Sequence, residues 1–182
     1  MPRCIARGMR RCVVVLVAAM LAGCSSAATS ATPPKPSPSA QPSAQAPQVL
    51  PGGCGSTKLL LGGIPAWVDE AGAHNNPSGL PYVLASPTNA AGFIFGNPLT
   101  ASRRQGPANK ILWVVGVPRK GSALEITGHP IDASTPAVHV TQPANSSPGE
   151  IYPTDIDVPK AGCWHFELAW AGNQTSVDLL YS

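Results

Sequence analysis

From residue 110 to the C-terminus, apolar side chains recur at every second position in one short segment after another, with Gly, Pro or Asn between segments. A period of two marks half-buried strands, whose successive side chains point to opposite faces. Ser122 to Gly128 sets Leu124 and Ile126 against Glu125 and Thr127. Ile151 to Val158 puts Tyr152, Thr154, Ile156 and Val158 on one side, with Asp155 and Asp157 on the other. Trp164, Phe166, Leu168 and Trp170 oppose His165 and Glu167. Val177, Leu179 and Tyr181 form a last inward row, with Asp178 opposite. The Ala171-Gly172-Asn173-Gln174 turn joins these two into a hairpin. Lys110 to Val117 breaks the alternation, since it is apolar on both parities and ends at Pro118. That is the pattern of a central strand covered on both faces.

Shorter strand signals around Lys58–Leu61, Phe93–Phe95 and Ala137–Thr141 bring the count to about seven or eight. No segment holds an apolar stripe at helical spacing for three turns, and Pro65 and Gly72 confine any helix to the region of Ala66–Ala73. The expected fold is all-β, an immunoglobulin-like β-sandwich over residues 54–182. Residues 24–53 differ sharply. Pro33, Pro34, Pro36, Pro38, Pro42, Pro47 and Pro51 alternate there with Ser, Ala, Thr and Gln, and only Val49 and Leu50 are sizeable and apolar. Such a stretch cannot bury enough surface to offset chain ordering, so it is expected to be a disordered linker.

The first 23 residues change the picture of where the chain works. Arg3, Arg7, Arg10 and Arg11 precede an aliphatic run from Val13 to Leu21. A spanning helix needs roughly 20 apolar residues, and this run is far shorter, as in an export signal. Leu21-Ala22-Gly23-Cys24 follows at once. These four residues resemble the lipobox of bacterial lipoproteins, which implies cleavage before Cys24 and acyl chains on it. An ordinary secretory signal cut elsewhere is the alternative reading. Arg10-Arg11 leaves twin-arginine export open beside the Sec route.

Removal of that segment takes four arginines with it. The whole chain carries a formal charge of +3, whereas the part from Cys24 onward has eight basic and nine acidic side chains. No basic field remains for nucleic acid. Cys4 and Cys12 leave with the signal and Cys24 takes lipid, so Cys54 and Cys163 remain to pair. In an oxidising compartment they are expected to form one disulfide closing a loop of about 110 residues. A pair of buried free thiols is the alternative.

Tyr152-Pro153, Val158-Pro159 and Gly162-Cys163-Trp164 form a spaced set near the C-terminus. The set resembles the closing portion of exported immunoglobulin-like lipoproteins of Gram-positive and related bacteria. That resemblance covers about the last forty residues and implies a fold, with no enzymatic activity attached. Parity departs from the immunoglobulin pattern at the cysteine: with Trp164 and Phe166 inward, Cys163 faces out, so it should clip the N-terminal arm rather than pin the core.

No nucleotide-binding loop, zinc-protease helix motif or nucleophile elbow occurs, and no catalytic, cofactor or metal residues are assigned. His165 and Glu167 share a strand face without a third ligand close in sequence, and read as solvated sheet surface. Ser56 and Lys58 are two residues apart, not the three of a Ser–Lys nucleophile pair. Asp155 and Asp157 read as outward positions of an alternating strand. Trp67, Asn75, Asn76 and Tyr82 lie in a loop-like stretch that could bind sugar or peptide on a sandwich rim. Against that, Trp67 could simply pack into the core. Together these features describe a membrane-tethered, extracytoplasmic binding or interaction module for an envelope protein or glycan. An envelope-acting hydrolase and an accessory subunit of an exporter or sensor complex remain as rivals.

Overall fold

Strand pairing carries the architecture in the computed structural model, which describes residues 46–72, 79–103 and 108–182. Among the described residues there are ten strands: β1 (Gln48–Cys54), β2 (Thr57–Leu61), β3 (Tyr82–Leu84), β4 (Ala90–Ile94), β5 (Lys110–Val115), β6 (Leu124–Pro130), β7 (Val138–Gln142), β8 (Ile151–Asp155), β9 (Gly162–Trp170) and β10 (Asn173–Tyr181). A short α-helix, α1 (Ala66–Glu70), lies between β2 and β3, and a 3-10 turn (Ala144–Ser146) between β7 and β8.

The strands form a six-stranded sheet, β1-β2-β3-β4-β5-β8, and a four-stranded sheet, β10-β9-β6-β7. Every pairing within them is antiparallel. The chain crosses sheets after β5, returns at β8 to pair with β5, and crosses again so that β9 pairs with β6. That alternation is the Greek-key order of an immunoglobulin-like sandwich, and β1 to β3 widen its first sheet.

The count exceeds the expected seven or eight because two strands carry little periodicity of their own. β1 occupies Gln48–Cys54, most of it inside the stretch assigned to the linker. It is mostly exposed and is defined by its register against β2, from Gln48↔Leu61 to Leu50↔Leu59. It is an edge strand, and Pro51 falls in its register shift between Leu50 and Cys54; both settings let a proline lack an amide hydrogen without losing a ladder bond. β3, three residues long, lies at the end of the stretch expected to be a rim loop.

Two apolar layers follow from the doubly apolar strand. Ile111, Trp113 and Val115 of β5 face the other sheet and meet Ile126, Trp164, Phe166, Leu168 and Tyr181. Val114 faces the opposite way with Tyr82, Phe93 and Ile151, under a cover of Val68 and Trp67 from α1. Each fully buried side chain of this size contributes about 1.5–3 kcal/mol. A Cβ on Gly92 would lie 2.6 Å from the Trp113 ring, so this strand glycine makes room for the indole. The rings' polar ends are satisfied. Trp113 Nε1 donates to Thr154 Oγ1 at 3.1 Å, and the Tyr181 hydroxyl donates to the Ile156 carbonyl at 3.1 Å.

Cys54 and Cys163 are disulfide-bonded, with Cα atoms 5.8 Å apart. Parity places Cys163 correctly: Trp164 and Phe166 are buried between the sheets, and Cys163 lies on the outward side of β9. The bond clips the tip of the β1–β2 hairpin onto the four-stranded sheet. The predicted signal segment and Cys24 lie outside the described residues.

Candidate functional site

Antiparallel register sets the outward positions of the four-stranded sheet side by side. His129 of β6 pairs with His165 of β9, and His165 with Asp178 of β10. In the next outward row, Thr127 pairs with His139 of β7 and with Glu167, which pairs in turn with Ser176. Three of the four histidines therefore share one sheet face.

Asp178 is outward by alternation and nevertheless only 6% exposed, because the β1–β2 hairpin tip lies on it. The Ser56 amide donates to Asp178 Oδ2 at 2.8 Å, and the Ser56 hydroxyl donates to the same oxygen at 3.2 Å. His165 Nδ1 is 2.7 Å from Asp178 Oδ1. The Asp178 amide donates to Thr57 Oγ1 at 2.9 Å. Gly55 turns the hairpin with φ +56° directly against the carboxylate, where any Cβ would collide with Asp178. Burial alone would raise the Asp178 pKa, but the hydrogen bonds from His165 and Ser56 outweigh it and hold the carboxyl below its usual range.

Ser, His and Asp meet here without the geometry of a nucleophilic triad. In that arrangement the hydroxyl hydrogen-bonds to the imidazole; here the Ser56 hydroxyl is spent on the carboxylate. No family model, curated protein or solved structure matches the chain. Beside the site runs an open groove of about 340 Å³, whose walls include Ser86, Pro87, His165, Glu167 and Ser176. Among the described residues, no three His, Cys, Asp or Glu side chains converge closely enough to hold a metal as they stand.

Among the described residues of the 64–82 stretch, Trp67 and Tyr82 both pack into the domain rather than lining a cleft. Tyr82 is fully buried, and its hydroxyl donates to the carbonyls of Gly62 and Gly63 at 3.0 and 3.2 Å. It cannot stack on a ligand, which corrects its assignment as a binding residue. Trp67 is half-buried against the second apolar layer, its ring over Gly116, and acts as cover. Asn75 and Asn76 lie outside the described residues.

The Asp157 carboxylate is taken up by neighbouring side chains. Asp157 takes a bidentate contact from Arg103, with Nε at 3.0 Å and Nη2 at 2.8 Å, and a third bond from Asn109 Nδ2 at 2.8 Å. The Arg103 bond is the main cause that holds the Asp157 carboxyl below its ordinary range, against a smaller cost of burial. This cluster ties Arg103 and Asn109 to the segment after β8, a structural task.

Proposed function

We propose that the chain is a lipid-anchored, extracytoplasmic binding module of the cell envelope, tethered through Cys24. The observation that carries this reading is the Cys54–Cys163 disulfide. Disulfides persist in oxidising compartments, and this one joins the two cysteines that lie beyond the lipobox-like residues. One acyl chain gives only marginal membrane affinity, so two or three on Cys24 would make the tether durable. The β1–β2 hairpin, fixed on the four-stranded sheet, supports binding by presenting a rigid polar face with an adjoining groove. The exported-lipoprotein resemblance of Tyr152 through Trp164 agrees with the same location.

Cys24→Ala tests the anchor. In cells fed an alkyne-tagged fatty acid, the wild-type chain should fractionate with membranes and carry the tag. The variant should lose the tag and be either released or left unprocessed. Undiminished tagging of the variant would refute the anchor.

A further inference from the structure

We propose that His129 and His165 form a two-imidazole site for a divalent transition-metal ion of the copper, nickel or zinc class, oriented by Asp178. The proposal concerns the folded domain and does not depend on the anchor. It begins with tautomers. A backbone carbonyl can only accept, so His129 Nδ1, 2.8 Å from the Pro130 oxygen, carries the proton of the neutral ring. The Asp178 carboxylate, 2.7 Å from His165 Nδ1, fixes the same tautomer there. In its neutral form each ring is thus left with a bare Nε2, the atom a metal takes. A carboxylate on the far nitrogen of a ligating histidine is a recurrent device for fixing its orientation and raising its basicity.

The ring separation fits a shared ion. The two centroids are 5.3 Å apart, with planes tilted by 38°. With metal–nitrogen bonds of about 2.0–2.1 Å and tetrahedral angles, two imidazoles on one ion place their centroids about 5.2 Å apart. Register supplies the closeness, since His129 and His165 are directly opposite on neighbouring strands. His165 lines the open groove, and neither it nor His129 is fully buried, so the sheet face is open to an ion. Glu167 is on the same strand face two residues on, and is exposed, so its carboxylate can rotate towards the ion, with water completing the shell. Imidazole with one carboxylate selects copper, nickel and zinc over calcium or magnesium, and copper should bind most tightly.

Copper(II) and zinc chloride are the probes. The full chain, extracted in detergent without a histidine tag and with free thiols alkylated, is titrated by calorimetry and by electron paramagnetic resonance. One equivalent of copper(II) should bind with a dissociation constant in the micromolar range, its spectrum showing nitrogen coupling from two imidazoles. His129→Ala and His165→Ala should each weaken binding by more than tenfold, while His139→Ala leaves it unchanged. Asp178→Asn, a change at a positioning residue, should weaken it by about tenfold while keeping the two-nitrogen signature. No saturable binding below about 1 mM, or binding indifferent to His129→Ala, would overturn the site. His129 is half-buried, so that variant keeps the test decisive even if changes at Asp178 impair folding.

Discussion

Asp178→Ala should lower the unfolding free energy by about 3 kcal/mol, because it strips the acceptor from His165 and from both donors of Ser56 at a buried position. Asp178→Asn keeps the volume and one carbonyl oxygen and should cost less. The loss also has a pH signature. The folded-state pKa of Asp178 is held below its unfolded value of 3.8, so its contribution is complete above that value and fades as pH falls through the folded one. Urea unfolding of wild type and Asp178→Asn from pH 6 down to pH 2 should therefore show two stability curves converging in acid. Curves that stay parallel throughout would mean that the charge on Asp178 contributes nothing.

The second large effect belongs to the disulfide. Reducing it, or replacing Cys163 with Ala, should cost about 2–5 kcal/mol, since it joins positions 109 apart in sequence and so closes a long loop in the unfolded chain. The native-state consequence is local: the tip of the β1–β2 hairpin loses its covalent clip and keeps the bonds to Asp178, while β2 stays paired with β3. Amide exchange in β2 should accelerate more than in β5, which is covered on both faces. The two devices hold the same hairpin tip, so Asp178→Ala combined with Cys163→Ala should deviate from additivity by at least 0.5 kcal/mol or so. Strict additivity would indicate that the tip is anchored elsewhere.

Periodicity made most of the sandwich legible. β6, β9 and β10 alternate cleanly because one face meets the core and the other does not. Lys110 to Val117 declared both its faces, and the α1 layer confirms that reading. β1 was illegible because an edge strand with one neighbour needs few apolar residues and tolerates Pro51. Tyr82 misled because a buried aromatic on a three-residue strand among glycines looks like a loop aromatic.

The polar face was only half visible. Alternation placed His165 and Asp178 outward, and the Ala171-Gly172 turn sets their register. The pairing of His129 with His165 joins positions 36 residues apart, and no spacing rule within one segment reveals it. Ser56 was still less accessible to reasoning, since its place on Asp178 depends on where the disulfide pulls the hairpin. Local pattern reports which face a side chain takes; cross-sheet pairing decides what it meets there.

The tether remains the claim on which the proposed function turns, and one measurement addresses it directly. An intact mass should be recorded, without reductant, on the protein extracted from membranes. A chain beginning at Cys24, heavier by a thioether-linked diacylglyceryl group with or without one further N-acyl chain, and lighter by the two hydrogens of the Cys54–Cys163 bond, is the predicted result. A chain that retains residues 1–23, or one that begins elsewhere and carries no lipid, would contradict the account.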